Sequence, residues 1–79
     1  MIARYIDKAL RRARYTEVDP GVYCGTVPGL RGVIATAVTL EACRDQLSEV
    51  IEEWVLVRVS RGLAVPALGG VTVAVKKAS

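Results

Sequence analysis

Apolar and polar positions alternate with two different periods along this chain, and the changes of period mark its elements. At 100° per residue, Ile2, Ile6, Ala9, Leu10 and Ala13 share one side of a helical wheel. Arg4, Lys8, Arg11 and Arg12 share the other, so residues 2–13 are predicted to form an amphipathic helix. Asp7 and Arg11, four positions apart, are placed to pair on its surface. From Arg14 the period becomes two. Arg14-Tyr15-Thr16-Glu17-Val18 reads as a strand, Asp19-Pro20-Gly21 as a turn, and Val22-Tyr23-Cys24-Gly25-Thr26-Val27 as the returning strand of a hairpin. Gly25 inside that strand marks a bulge or a close backbone approach. Pro28-Gly29-Leu30-Arg31-Gly32 is a tight loop that holds Val27 extended. Val33 to Ala37 is a third strand.

Thr39 is placed to cap a second helix, with Glu41 in its first turn where a negative charge suits the helix dipole. Leu40, Cys43, Leu47, Val50, Ile51 and Trp54 form one stripe of it, and Glu41, Asp45, Ser48, Glu49 and Glu52 the opposite, acidic face. After Trp54 the pattern breaks: Arg58 falls at the centre of the apolar stripe and Leu56 on the polar side. Residues 55–59 therefore admit two readings, a strand of alternating valines or a continued helix. Gly62 suits the C′ position of a helix ending near Arg61 and favours the second. A helix from Leu40 to Arg61 is roughly 33 Å long. That exceeds the sheet beneath it, so Leu56 and Val59, with Trp54, are expected at a contact between subunits. Val71 to Val75, after a Gly-Gly turn, reads as a last strand. The expected architecture is one two-layer α+β domain, order α-β-β-β-α-β, with an antiparallel sheet of three to four strands covered by one long helix. Residues 1–13 are the added N-terminal helix, 14–75 the core and 76–79 a solvated tail.

Length sharpens this picture. A chain of 79 residues buries only about 60% of the surface that it exposes unfolded. Domains of this size draw extra stability from disulfides, a metal or self-association. Cys24 and Cys43 are the only cysteines and there is no histidine, so no zinc site can be assembled from them. A disulfide requires an oxidising compartment, and Met1-Ile2-Ala3-Arg4-Tyr5 lacks the apolar core of a signal peptide. Both cysteines are expected as small core hydrophobes. Self-association remains, as a homo-dimer or tetramer. No apolar run approaches the ~20 residues that span a bilayer, so a soluble, cytoplasmic protein with no membrane partner is expected.

Candidate chemistry is sparse. Without histidine the commonest general base is missing, and no cofactor, catalytic or metal-binding set is expected. The acids of the second helix at i,i+4 spacing lack ligands from a second element and read as a solvated face. Gly29 and Gly32 lie between strands and do not open a helix, which makes a phosphate loop a weak reading. Arg4, Lys8, Arg11 and Arg12 are the candidate patch for an anionic partner, RNA included. The net charge of +3 permits this without requiring it. The plain alternative for the same residues is a solvated face. Trp54 reads as core or as an interface anchor.

The run Tyr23-Cys24-Gly25-Thr26-Val27-Pro28-Gly29-Leu30-Arg31-Gly32-Val33, followed by Ala35-Thr36 and Thr39-Leu40-Glu41, resembles the HicB antitoxin family. In that family a Y-x-G/A-x-V/I-P strand leads into a D-L-P-G loop, another strand and a T-L-E-E-A helix start. The likeness runs from about Tyr15 to Ile51. Gly29, Arg31, Ala37 and Ala42 depart from the pattern, and Ala42 removes the reciprocal half of a capping box. The resemblance implies a partial RNase H-like fold and a protein that neutralises a small HicA-type, RNA-cleaving toxin by covering its surface. The sequence ends soon after Val75, so the expectation is a member without its own DNA-binding domain. The strands supply only Glu17 as an acid, so the metal-dependent chemistry of RNase H is not expected to carry over. The alternative is an orphan oligomeric scaffold or RNA-binding module of the same fold.

Overall fold

The computed structural model describes residues 2–73. Helix α1 (Ile2–Arg12) is followed by strands β1 (Arg14–Asp19), β2 (Val22–Thr26) and β3 (Ile34–Ala37), and then by helix α2 (Leu40–Ser60). The strands form one antiparallel sheet in the order β1-β2-β3. This is the predicted α+β architecture, and three is its strand count among the described residues.

Register decides which side chains face α2. Tyr15, Gly25 and Ala35 stand opposite one another across the three strands, and Gly25 and Ala35 are buried. Cys43 of α2 sits against this row, its thiol directed at the Ala35 carbonyl. Gly25 is a close approach and not a bulge. A Cβ there would lie 3.0 Å from the Tyr15 ring and 3.2 Å from the Cys43 sulfur, so the missing side chain is what lets the helix settle onto the sheet. The irregularity falls instead between Glu17 and Asp19, where the Glu17 carboxylate accepts a hydrogen bond from the Gly21 amide at 3.0 Å. The opposite face of the sheet carries Arg14, Thr16, Thr26, Ile34 and Thr36, all exposed, with Cys24 half-buried among them. Cys43 is thus the core residue expected of it, whereas Cys24 lies on the open face; both are free thiols.

Helix α2 begins as its sequence dictates. Thr39 is extended (φ −136°, ψ 157°) and its hydroxyl accepts from the Ala42 amide at 3.0 Å. The helix ends in a paired closure: the Gly62 amide donates to the Val59 carbonyl at 3.1 Å and the Leu63 amide to the Arg58 carbonyl at 2.8 Å. Gly62, at φ +68°, takes the left-handed step that this closure needs. Residues 55–59 are therefore helix, the reading that Gly62 favoured. At about 31 Å α2 does outrun the sheet.

The overhang is covered within the chain. Cys43, Leu47, Ile51 and Val55 are fully buried, in steps of four along one side of α2. β2 and β3 cover the first part of this stripe, and α1 packs against α2 as well. Tyr5 and Ala9 of α1 are also fully buried. The wheel of α1 thus turns relative to the sequence reading: Ile2, Ile6, Leu10 and Ala13 are half-buried at its margin, while Tyr5 takes the centre because its ring fills the space beside α2. Its hydroxyl donates to the Pro66 carbonyl, which ties the segment after α2 back onto α1. Leu68 in that segment joins the core.

The predicted strand Val71–Val75 is not present over its described part. Leu68 and Val71 exchange both backbone hydrogen bonds at 2.9 Å around Gly69 and Gly70, whose positive φ values suit a two-residue hairpin turn. The ladder stops there among the described residues, as a single bridge. The next hydrogen-bonded pair would join Pro66 to Val73. Pro66 has no amide hydrogen, and its carbonyl already accepts from Tyr5. Ala74 and Val75 lie outside the described residues.

Candidate interaction surface

Helix α2 presents two exposed surfaces besides its buried stripe. The outward face carries Glu41, Asp45, Glu49 and Glu52, all exposed. Leu56, 48% exposed, lies toward its end in a shallow hollow bordered by Glu49, Glu52, Glu53, Val57 and Ser60. The flank is different in character. Val50, Trp54, Val57 and Leu63 line an open groove, with Glu53, Arg58 and Arg61 as its charged members. Val57 and Leu63 are 42% and 43% exposed, more than apolar side chains of their size have in a core.

Trp54 is held in this groove at two points. Its indole N–H donates to the Arg31 carbonyl at 3.1 Å, so the loop between β2 and β3 fixes the ring plane. That loop is anchored by Val27, Leu30 and Val33, all buried. The Arg58 guanidinium stands 4.8 Å from the ring centroid, within cation–π range. This explains the charge at the centre of an apolar stripe. Arg58 lays its stem along α2, covers the indole and donates from Nε to the Ala64 carbonyl at 2.7 Å. Its charge also works against burial at Tyr5: burial pushes that phenol above its ordinary value of 10.0, and the nearby guanidinium pulls the other way. The second raised group is Cys43. Burial pushes its thiol above 9.0 and the nearby Cys24 adds to this, against a hydrogen bond from the Gly25 backbone.

The residues singled out from the sequence are thus dispersed. Trp54 lies in the groove, Leu56 on the acidic face, and Val59 half-buried against the chain's own core. Of the basic residues of α1, Arg4, Arg11 and Arg12 are exposed and Lys8 is half-buried. Arg11 pairs with Asp7 at 3.1 Å, on the exposed surface. Lys8 and Arg12 reach over Gly69, and Arg4 is exposed. Val57 and Leu63 were not singled out. The signal for Val57 was its place three residues after Trp54; Leu63 had none, because its exposure depends on the chain reversal at Gly62. Among the described residues no three acids, cysteines or histidines are gathered as metal ligands, and no helix is long and apolar enough to cross a membrane.

Fold and surface define a class first: a small two-layer α+β module whose long helix displays an acidic face and an apolar groove. The family follows from the sequence, because residues 4–66 match the UPF0150-like family and the chain belongs to it. Among solved structures it is similar to TTHA0281 from Thermus thermophilus, with 40% identity, a TM-score of 0.82, and coverage of 90% of this chain and 95% of that one. No curated protein matches the chain.

Proposed function

We propose that this protein is a HicB-like antitoxin module that acts by contact, without catalysis of its own, binding and neutralising a small HicA-type RNA-cleaving toxin. The observation that carries the reading is its UPF0150-like membership, which matches the antitoxin resemblance of the strand–loop–strand–helix run. The surface supports it. A protein that grips RNA is basic, and the outward face of α2 is a ridge of exposed acids ending in exposed Leu56. Such a ridge steers a basic partner into encounter, and an apolar side chain at its end supplies the desolvated contact. The RNA-binding alternative draws on Arg4, Lys8, Arg11 and Arg12. Of these, Arg11 is paired on the surface with Asp7, and no family match stands behind RNA binding, so the antitoxin reading is the better supported.

Co-expression with the small protein encoded beside its gene tests the proposal. The expected result is a stable complex and relief of growth arrest, both lost in the double variant D45R/E52R. If no neighbour encodes a small basic protein containing histidine, and none co-purifies, the antitoxin reading fails.

A further inference from the structure

We infer that the groove on the flank of α2 docks a second copy of this chain, the two α2 helices lying antiparallel across a two-fold axis. This goes beyond the antitoxin reading and gives a surface to the self-association expected of so short a chain. Val50, Trp54, Val57 and Arg61 follow one another at spacings of four, three and four, the interval that keeps a helical seam facing one partner helix. The structure gathers all four into the groove. The seam is about 17 Å long and adjoins the acidic ridge, since Glu53 and Val57 border both the groove and the hollow that holds Leu56. Its anchor is rigid: Trp54 is fixed by the Arg31 carbonyl and by Arg58, which is itself fixed by Ala64. A preorganised tryptophan in a half-exposed apolar groove is the composition of an interface hot spot.

The order of charges selects the occupant. Glu53 lies toward the N-terminal end of the seam and Arg61 at its C-terminal end, with Trp54 and Val57 between them. Place a two-fold axis midway between Trp54 and Val57. Trp54 of each copy then meets Val57 of the other. Arg61 meets Val50 and stands within one turn of the other copy's Glu53, so each end of the seam receives one Glu–Arg pair. Parallel helices would instead set Glu53 on Glu53 and Arg61 on Arg61. The surface is thus complementary to itself in one orientation, as an isologous interface requires. An unrelated partner gives no reason for this reciprocity.

A charge-swap cycle on the full-length chain tests the inference, with sedimentation equilibrium reporting the dimer constant and circular dichroism confirming the fold. Wild type is expected to dimerise. Glu53→Arg and Arg61→Glu each strike both symmetric pairs and are expected to weaken the dimer by at least about tenfold. The double variant E53R/R61E restores the pairs with reversed sign and should recover most of the loss. A wild-type chain that stays monomeric, single variants that leave the constant unchanged, or a double variant as weak as the two losses combined would each overturn it. A monomer that still captures its toxin overturns this interface and leaves the antitoxin reading standing. A dimer that passes the cycle but captures nothing supports the interface while counting against that reading.

Discussion

Val55 and Leu56 are neighbours with opposite fates, and substituting each in turn measures how the overhang of α2 is covered. Val55 is fully buried and Leu56 is 48% exposed in a single chain. Val55→Ala removes two carbons from the core, about 1.6 kcal/mol of transfer free energy at ~0.8 kcal/mol per carbon. The incompletely relaxed cavity adds about 1 kcal/mol, and the better helix propensity of alanine returns about 0.5 kcal/mol. The expected loss is about 2 kcal/mol. Set against a total stability of roughly 4–12 kcal/mol for a domain of this length, that lowers Tm by roughly 10–15 °C. Leu56→Gln keeps side-chain length and helix propensity and should change stability by less than about 0.5 kcal/mol. Urea unfolding followed by circular dichroism and by Trp54 fluorescence reads both variants. Repeating it over a range of protein concentrations separates folding from association. A Val55→Ala loss below about 0.5 kcal/mol, with a larger loss for Leu56→Gln, would mean that α2 is rotated from the orientation described and that α1 does not roof its second half.

Thr39→Ala deletes the hydroxyl that accepts from the Ala42 amide and should cost about 1 kcal/mol in the same urea assay. Tyr5→Phe removes the bond to the Pro66 carbonyl at a cost of about 1 kcal/mol, and hydrogen exchange around residues 66–68 should quicken. Gly25→Ala would force a methyl group to within 3.0–3.2 Å of Tyr15 and Cys43 and should destabilise by about 1–3 kcal/mol. The pH dependence follows from Cys43 and Tyr5, whose folded values are raised above 9.0 and 10.0. Above pH 9 the unfolded chain releases these protons before the native one does. Stability is therefore held below that pH and lost as the solution becomes more alkaline, and a flat urea midpoint from pH 8.5 to 10.5 would contradict this.

The elements whose burial is local were legible in the sequence. Thr39 and Gly62 bracket α2 because capping depends on a few adjacent residues, and the hairpin follows from Pro20-Gly21 between two alternating runs. What was not legible depends on contacts distant in sequence. Tyr5 falls between the aliphatic and basic sides of the α1 wheel, and only the carbonyl of Pro66, 61 residues away, makes its burial tolerable for a hydroxyl. Arg58 breaks the helix stripe only if its charge is counted and its aliphatic stem is not. A long cationic side chain can cover an indole and cap a carbonyl at once. The Val71–Val75 run alternates well enough to be a strand, but over its described part, Val71 to Val73, Pro66 stands where the ladder would have to continue. For the site, the acidic ridge could be read directly from spacing. The apolar groove could not, since it needs the chain reversal at Gly62 and the loop carbonyl of Arg31 to complete it.

The length of α2 and the addition of α1 are two sides of one physical fact. A helix that merely roofed the short strands β2 and β3 could stop near Ile51. Carrying the buried stripe on to Val55 exposes further apolar surface that the sheet cannot reach. α1 and the segment holding Leu68 fill that need within the chain, Tyr5 and Ala9 being buried with Val55. The overhang therefore does not have to be satisfied by another subunit, and it can display its remaining sides. One side is acidic, with Leu56 at its end; the other holds Trp54, Val57 and Leu63 in a groove. Because the inner stripe is already closed, either outer side can be altered without exposing the core. Charge reversal at Asp45 and Glu52 should thus impair capture of a basic partner while leaving the seam intact, and reversal at Arg61, which lines the groove and not the hollow around Leu56, should do the converse.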